Sequence, residues 1–277
     1  MITPKNPKPT ALVVGPMKCG TSWIHEYFES RRDICLPSGV KETFYYDRYH
    51  HRGLAWYERH FRHFAPDQNV AIIEVGPSLF HASGTAAPKI FEELGDIPIV
   101  VTLRDPVKRA WSHYQHMARG YTKLPVHQAV QKFPEIIEAS RYSMHLPIWK
   151  AHFSRVTVLQ QSDLAEDPDG YVKTLSNGLS LPIKDAGNMA ERRVNEATAP
   201  RSYVLARIGR YGARALRFIG LYSVVNALKS AGLKSVFFSG GKTAKLAATD
   251  SDLNFLEELL ASERQFMSSY VEGTNLK

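Results

Sequence analysis

The stretch Thr10-Ala-Leu-Val-Val-Gly-Pro-Met-Lys-Cys-Gly-Thr-Ser-Trp23 decides the fold of this 277-residue chain. Its first five residues, Thr10 to Val14, are β-branched or aliphatic and predict a buried strand, which ends at Gly15-Pro16. From Ser22 to Glu29 apolar residues recur at helical spacing. The segment therefore predicts a strand, a glycine-containing loop and a helix in succession.

Strand and helix patterns alternate along the chain that follows. Buried strands are predicted at 70–75, 97–103 and 155–160, and helices at 54–64, 84–94, 107–119, 126–139, 142–153 and 171–178. This alternation is typical of a parallel sheet with helices on both faces. We expect a single α/β domain over 1–277, with its core at about 10–182 and a basic loop and C-terminal helices at 183–277.

Composition limits the classes of function. No run approaches the roughly 18 apolar residues of a membrane span, and the N-terminus lacks the apolar core of a signal peptide, so we expect a cytoplasmic protein. Two cysteines, Cys19 and Cys35, are too few for a disulfide scaffold or a four-thiolate zinc site. We expect no metal. The net charge of +8 favours anionic ligands.

Basic residues concentrate late in the chain. Between Arg192 and Lys245, eleven Lys or Arg residues face one acid, Glu196. Residues 184–200 lack an apolar period and predict an exposed loop, whereas 201–229 have the pattern of a basic amphipathic helix. Such a helix could cap the fold, guide an acidic or lipid-linked acceptor, or contact a membrane surface. A final helix is predicted at 251–271, capped by Asp250 or Ser251.

The loop from Gly15 to Ser22 has the glycine spacing of a phosphate-binding loop. Thr21 stands where the ATP-binding version has lysine, and the lysine occurs earlier, at Lys18. Backbone N–H groups and the positive end of the next helix would face an anion, with hydroxyls from Thr21 and Ser22 as further donors. A mid-loop lysine could stabilise a leaving oxygen. The alternative is a tight turn with an incidental lysine.

A second anion motif follows the predicted strand at 97–103. Arg104 would emerge at the carboxyl end of the strand, where ligands of open parallel sheets bind, and Ser112 lies about two turns along the next helix. Both could bind one phosphate group, since an arginine fork matches such an anion. The alternative is an Arg104–Asp105 pair at a helix start beside a solvated serine.

These segments together resemble a known family. Gly15 to Trp23 resembles the 5′-phosphosulfate loop of sulfotransferases that use 3′-phosphoadenosine 5′-phosphosulfate (PAPS), and Arg104 to Ser112 resembles their 3′-phosphate motif. Similarity to the carbohydrate branch, which includes the heparan sulfate sulfotransferases, is carried by 41–47, 53–57 and 74–80, and more weakly by 142–146 and 163–168. The resemblance spans about residues 12–182.

The resemblance implies a P-loop-like α/β fold, PAPS as co-substrate, adenosine 3′,5′-bisphosphate as product and no catalytic metal. The acceptor would be a hydroxyl, or less favourably an amine, of a carbohydrate, glycolipid or glycosylated natural product. The implied donor-binding residues are Lys18, Cys19, Gly20, Thr21, Ser22, Trp23, Arg104 and Ser112, with Arg193, ahead of Arg192 and Lys184, in place of the family's late basic loop. The acceptor-binding residues are Lys41, Phe44, Tyr45, Glu74, Tyr142 and His145.

Lys18 and Glu42 are the implied catalytic residues. Lys18 would stabilise the leaving phosphate, and Glu42 matches the acceptor-activating base of heparan 3-O-type enzymes. A carboxylate can act as base if burial tunes its pKa, whereas a solvated Lys41–Glu42 pair is the alternative. Competing bases are His25, His81, His113, His116 and His145. Val75 follows Glu74 where the 3-O-type pattern has lysine, which argues against a polyanionic glycan.

Two other functions fit parts of the sequence. A P-loop kinase or other nucleotide-dependent phosphotransferase would need a lysine at the position of Thr21 and an acidic magnesium site. A nucleic-acid-binding protein built on the basic tail would leave the two anion motifs unexplained. We therefore expect a small-molecule or glycan partner and no nucleic acid.

Overall fold

Five parallel strands form one sheet in the part of the chain that this computed structural model describes, residues 7–62, 70–119, 121–190 and 246–275. The strands are β1 (Ala11–Val13), β2 (Ile34–Cys35), β3 (Ala71–Val75), β4 (Ile99–Leu103) and β5 (Val156–Gln160). Their order is β2-β3-β1-β4-β5, and every neighbouring pair is parallel. The carboxyl ends of all five therefore face one edge, and the predicted parallel sheet is confirmed.

Helices connect the strands and cover both faces of the sheet. They are α1 (Thr21–Glu29), α2 (Leu54–Glu58), α3 (Ser83–Leu94), α4 (Pro106–Ala118), α5 (Val126–Lys132), α6 (Glu135–Glu138), α7 (Tyr142–His152), α8 (Asp163–Glu166), α9 (Pro168–Gly178) and α10 (Asp250–Asn275). Short 3-10 helices occur at His50–Arg52, Arg59–Phe61, Pro77–Ala82 and Gly187–Met189, and a π-helical turn at Tyr45–Tyr49. Most predicted helices are confirmed to within a few residues.

The alternation of side chains along each strand builds two cores. Ala11 and Val13 of β1 face α1 and α9, where Tyr27 and Leu175 are among the buried residues. Leu12, between them, faces the opposite side, on which α3 and α7 pack. Successive residues of a strand point to opposite faces, so a strand with no polar residue must be covered on both. The aliphatic run that opened the sequence is thus explained by helices on each side.

Three predicted helices have different boundaries. The helix expected at 126–139 is two helices, because Pro134 lacks an N–H and forces Phe133 out of the helical conformation, to φ −130° and ψ 74°. The α-helix expected at 54–64 ends at Glu58 and is followed by a 3-10 turn at Arg59–Phe61, while residues 63 and 64 lie outside the described residues. The final helix is capped by Thr249, which exchanges hydrogen bonds of 2.7–3.1 Å with Asp252, not by Asp250 or Ser251.

The C-terminal helix packs beside the sheet. Leu256 and Leu260 of α10 are buried against α4, α5 and α6. Within the described ranges, no helix is both long and apolar enough to span a bilayer. The basic helix predicted at 201–229 lies outside the described residues.

Candidate active site

The loop between β1 and α1 has the backbone shape of an anion cradle. Gly15 lies so close to β4 that a Cβ atom there would be 2.3 Å from Oγ1 of Thr102. Lys18 and Gly20 both adopt left-handed backbone conformations, with φ of 76° and 90°, and Gly20 is the N-cap of α1. The first N–H groups of a helix have no acceptor within it and lie at the positive end of its dipole. The loop can therefore bind an anion through its backbone.

The second predicted motif meets this loop at the carboxyl edge of the sheet. Nη1 of Arg104 donates to the carbonyl oxygen of Lys18 at 3.3 Å. Tyr142, fully buried at the start of α7, donates its hydroxyl to the carbonyl oxygen of Arg104 at 2.8 Å and lies 3.9 Å from Sγ of Cys19. The two motifs that the sequence predicts separately are thus parts of one site.

Positive charge concentrates around Lys18. Burial and three arginines lower its pKa to about 8; the arginines, from the largest effect to the smallest, are Arg119, Arg104 and Arg109. In the described segments, no carboxylate forms an ion pair with Lys18, Arg104 or Arg109. A partly buried cationic site without a carboxylate partner favours an anionic ligand.

Arg109 is a buried cation that sequence reasoning missed. Its side chain is 0% exposed, and the guanidinium donates to the carbonyl oxygen of Met17 at 3.3 Å, to Oγ of Ser140 and to the carbonyl oxygen of Ile136. These bonds fix the phosphate-binding loop to α4 and to the segment before α7. The spacing in the sequence could have indicated that Arg109 is buried, because Arg109 precedes His113 by four residues and both lie on a buried face of α4.

Glu42 lies in a loop that a buried carboxylate anchors to β3. Glu74 of β3 is 2% exposed, and its Oε1 accepts bonds from the N–H and the hydroxyl of Thr43, both at 2.7 Å. On the other side of Glu42, Nζ of Lys41 donates to Oγ of Ser22 in α1 at 2.9 Å. Glu42 is thus held between the central sheet and the phosphate-binding loop.

The surroundings of Glu42 suit a general base. Burial, and next the negative charge of Glu74, raise the pKa of Glu42 to about 7. A base with a pKa near the working pH combines a useful ionised fraction with adequate strength. The carboxyl group therefore has the properties that proton removal from a hydroxyl requires.

Burial lowers the pKa of four of the five competing histidines, His145 among them. Burial is the main cause that lowers the pKa of His25 and of His81 to about 4 and that of His113 to about 3. His116 is exposed on α4. Because proton affinity falls with pKa, Glu42 fits the role of base better than the three buried imidazoles.

The predicted donor-binding residues differ in what they expose. Lys18, Gly20, Ser22, Arg104 and Ser112 are partly exposed. Cys19 and Thr21 are buried, so the backbone is the part of Cys19 that can meet an anion. Trp23 is directed into the core: its Nε1 donates to the carbonyl oxygen of Met189 at 2.9 Å and its ring stacks on Tyr27. Its indole is therefore part of the core that supports the loop.

Three basic residues are candidates for the late 3′-phosphate loop, and the structure describes one of them, Lys184. Arg193 and Arg192 lie outside the described residues. Lys184 pairs with Asp33 at 3.0 Å, just before β2, which is the amino edge of the sheet and not the carboxyl edge that carries the site. Lys184 is therefore corrected from a donor ligand to a structural ion pair.

The predicted acceptor-binding residues fall into two groups. Lys41 is exposed, and Phe44 is partly exposed beneath the guanidinium of Arg48, 4.4 Å from the ring centroid. The remaining four, Tyr45, Glu74, Tyr142 and His145, are all buried. Each of them makes at least one polar contact within the protein: Tyr45 donates to Glu93, Oε2 of Glu74 accepts from Tyr57, the Tyr142 hydroxyl donates to the Arg104 carbonyl oxygen, and Nδ1 of His145 shares a bond with Ser83. These four support the loops around the site, and direct contact with an acceptor stays a prediction for them.

Fold and site together define an α/β protein with a glycine-containing loop shaped to bind an anion, a second arginine-bearing motif and a carboxyl group of raised pKa. A family model described as the sulfotransferase domain matches residues 8–198, which is more than half of the chain. The chain belongs to this sulfotransferase domain family.

Sequence similarity to two named sulfotransferases is consistent with membership of this family. The membrane-associated sulfotransferase kil1 of Dictyostelium discoideum is 31% identical over 106 residues, which are 38% of this chain and 22% of that protein. The heparan sulfate glucosamine 3-O-sulfotransferase 3A1 of Mus musculus is 26% identical over 187 residues, 62% of this chain and 46% of that protein. The chain thus spans less than half the length of either relative.

A solved structure supports the fold. The sulfotransferase from Alicyclobacillus acidocaldarius superposes with a TM-score of 0.56 at 20% identity, covering 79% of this chain and 96% of that one. The P-loop-like architecture implied by the resemblance is thereby confirmed.

Proposed function

We propose that this protein transfers the sulfuryl group of PAPS to a hydroxyl of a carbohydrate, a glycolipid or a glycosylated natural product. The bond from Arg104 to the carbonyl oxygen of Lys18 carries the proposal, because it brings two anion motifs to one edge of the sheet. A donor with a phosphosulfate at one end and a 3′-phosphate at the other needs two such motifs. The cations around Lys18 fit its negative charge.

PAPS supplies a sulfuryl group attached to a phosphate that can leave. The N–H groups of the loop and Lys18 would hold the 5′-phosphosulfate, while Arg104 and Ser112 would hold the 3′-phosphate. Protonated Lys18 would stabilise the negative charge that develops on the leaving phosphate oxygen. An anion bound beside Lys18 favours its charged form and so keeps it protonated.

Glu42 would remove the proton of the acceptor. As the acceptor oxygen forms its bond to sulfur, the bond from sulfur to the bridging phosphate oxygen breaks, and the hydroxyl proton moves to the carboxylate of Glu42. The products are the sulfated acceptor and adenosine 3′,5′-bisphosphate, and solvent then removes the proton from Glu42. The pKa of about 7 supports this role at neutral pH.

Three observations favour a sugar acceptor that carries less negative charge than heparan sulfate. The named heparan sulfate relative and the partly exposed ring of Phe44 favour a sugar, since aromatic rings pack against sugar faces. Val75, which replaces a lysine of the 3-O-type pattern, is fully buried. The site therefore carries one cation fewer, which favours an acceptor less anionic than heparan sulfate.

Thermal-shift measurements test the donor. Adenosine 3′,5′-bisphosphate should raise the melting temperature, whereas ATP with magnesium and single-stranded nucleic acid should have smaller effects. At a ligand concentration of 100 times Kd, the bound bisphosphate should stabilise the folded protein by about 2.7 kcal/mol. Incubation with labelled PAPS and a metabolite extract would then identify the sulfated product. A larger shift with ATP and magnesium would favour the phosphotransferase alternative.

The substitution Lys18→Ala tests whether the loop between β1 and α1 takes part in the transfer reaction. We expect transfer to fall by about 100-fold or more, as when a group that stabilises a leaving oxygen is removed. Lys173→Ala is the matched control, because Lys173 is exposed on α9. Unchanged donor affinity and rate in Lys18→Ala would remove the loop from the mechanism.

A further inference from the structure

Helix α10 reaches the candidate site from outside the matched domain. The family match ends at residue 198, whereas α10 begins at Asp250. Leu256 and Leu260 anchor α10 to α4, α5 and α6. The next turn carries Glu263 and Arg264, which contact the segments on which α7 and α4 begin.

Glu263 caps α7. It is 7% exposed, and its Oε2 accepts a bond from the N–H of Ser143 at 2.8 Å while its Oε1 accepts one from the Ser143 hydroxyl at 2.7 Å. Arg141, the N-cap residue of α7, makes no side-chain cap bond. The first N–H groups of a helix need outside acceptors and favour negative charge. Glu263 therefore supplies, from a distant helix, a cap that the local sequence of α7 does not provide.

Tyr142 connects that cap to the donor site. It is the neighbour of Ser143 in the first turn of α7, and its buried hydroxyl donates to the carbonyl oxygen of Arg104 at 2.8 Å. Arg104 in turn donates to the carbonyl oxygen of Lys18. A continuous series of contacts thus joins Glu263 to both anion motifs.

Arg264 contacts the residue that follows Arg104. Its Nε lies 3.2 Å from Oδ2 of Asp105, and Oδ1 of Asp105 caps α4 by accepting from the N–H of Lys108 at 2.8 Å. The Arg264 side chain is 49% exposed, so solvent screens this ion pair, and the partly buried bonds from Glu263 to Ser143 are the stronger link. Of these two adjacent residues of α10, Arg264 therefore contacts Asp105 directly, whereas Glu263 reaches Arg104 only through Ser143 and Tyr142.

We propose that Glu263 is a positioning residue for the donor site, which sets the place of Arg104 through Ser143 and Tyr142. The inference rests on the proposed function, in which Arg104 holds the 3′-phosphate. Loss of the cap frees the first turn of α7 and with it the support of the Arg104 carbonyl. The loss of affinity should therefore fall on the 3′-phosphate, whereas a merely structural α10 would affect all nucleotides alike.

Calorimetric titration with two nucleotides that differ only in the 3′-phosphate tests this. The ratio of Kd for adenosine 5′-monophosphate to Kd for adenosine 3′,5′-bisphosphate measures how well the site recognises that phosphate. We expect Glu263→Gln to reduce the ratio about 10-fold, because the amide carries no charge at the start of α7 and has one acceptor oxygen where the carboxylate uses two. Ser143→Ala, which removes only the hydroxyl bond, should reduce it about 3-fold. Glu258→Gln, an exposed change on the same helix, should leave it unaltered.

The outcomes separate this inference from the proposed function. A wild-type protein that does not prefer the bisphosphate contradicts the proposed function and the inference together. A wild-type preference that survives in folded Glu263→Gln overturns the inference alone, even if the melting temperature falls. If Glu263→Gln does not fold, Ser143→Ala decides, and an unchanged ratio in that variant likewise overturns the role of Glu263.

Discussion

Replacing Glu42 by glutamine should abolish transfer and, at high pH, stabilise the fold. Glutamine keeps the size of the side chain but can neither take up a proton nor carry a charge. Burial and the charge of Glu74 penalise the ionised form of Glu42, so the folded protein tolerates that charge poorly. Loss of function should therefore come with a gain of stability, which a merely disruptive substitution would not produce.

The pKa gives the size and sign of the gain. A carboxyl pKa raised from an ordinary 4.5 to about 7 means that the folded state holds its proton more tightly than the unfolded state. Stability is therefore lost as pH rises from about 4.5 to about 7, and the full loss amounts to about 3 kcal/mol. The Glu42→Gln variant does not lose this stability. Its free energy of unfolding should therefore exceed that of the wild type by about 1 kcal/mol at pH of about 5.5 and by about 3 kcal/mol at pH of about 8.5.

Urea denaturation at both pH values measures this difference, and turnover and bisphosphate affinity are measured in parallel. Turnover should fall about 100-fold or more while the affinity stays within about 2-fold. Glu92→Gln, an exposed change on α3, should give a stability difference within about 0.5 kcal/mol at either pH. A stability difference that does not grow with pH would refute the buried, charge-coupled carboxyl, and retained turnover would refute the base.

Three further outcomes are expected. The pH profile of kcat/KM should be a narrow bell, rising through about 7 as Glu42 loses its proton and falling above about 8 as Lys18 loses its own; a profile flat between pH 6 and 9 would reassign both groups. Arg109→Met should move the alkaline limb to higher pH, because the charge of Arg109 lowers the pKa of Lys18, and an unmoved limb in a folded variant would contradict that coupling. Gly15→Ala should cost about 1–3 kcal/mol in urea denaturation, since its Cβ would lie 2.3 Å from a side-chain oxygen of β4, whereas Gly84→Ala, with open space around it in α3, should be neutral or stabilising.

Local patterns sufficed for much of the fold. Largely aliphatic runs marked four of the five strands, because burial on both faces leaves an apolar sequence whatever the neighbours are. β2 has two residues, Ile34 and Cys35, which is too short to show a period. The break at Pro134 follows from a local rule, and the helical spacing around it concealed the break. Where a pattern was short or was contradicted by one residue, the sequence prediction failed.

The residues of the site differ in whether the sequence predicts them. Lys18, Arg104 and Glu42 stand in motifs, since a loop that meets an anion needs fixed residue types at fixed spacing. The residues that tune them come from distant parts of the chain: Glu74 of β3 adds to the effect of burial in raising the pKa of Glu42, and Arg109 of α4 adds to the effect of burial in lowering the pKa of Lys18. A buried charge changes a neighbour's proton affinity through distance and burial, which are properties of the folded chain, not of spacing in sequence. Substitution of those supporting residues should therefore change the pH dependence of the reaction, while substitution of the motif residues removes the reaction itself.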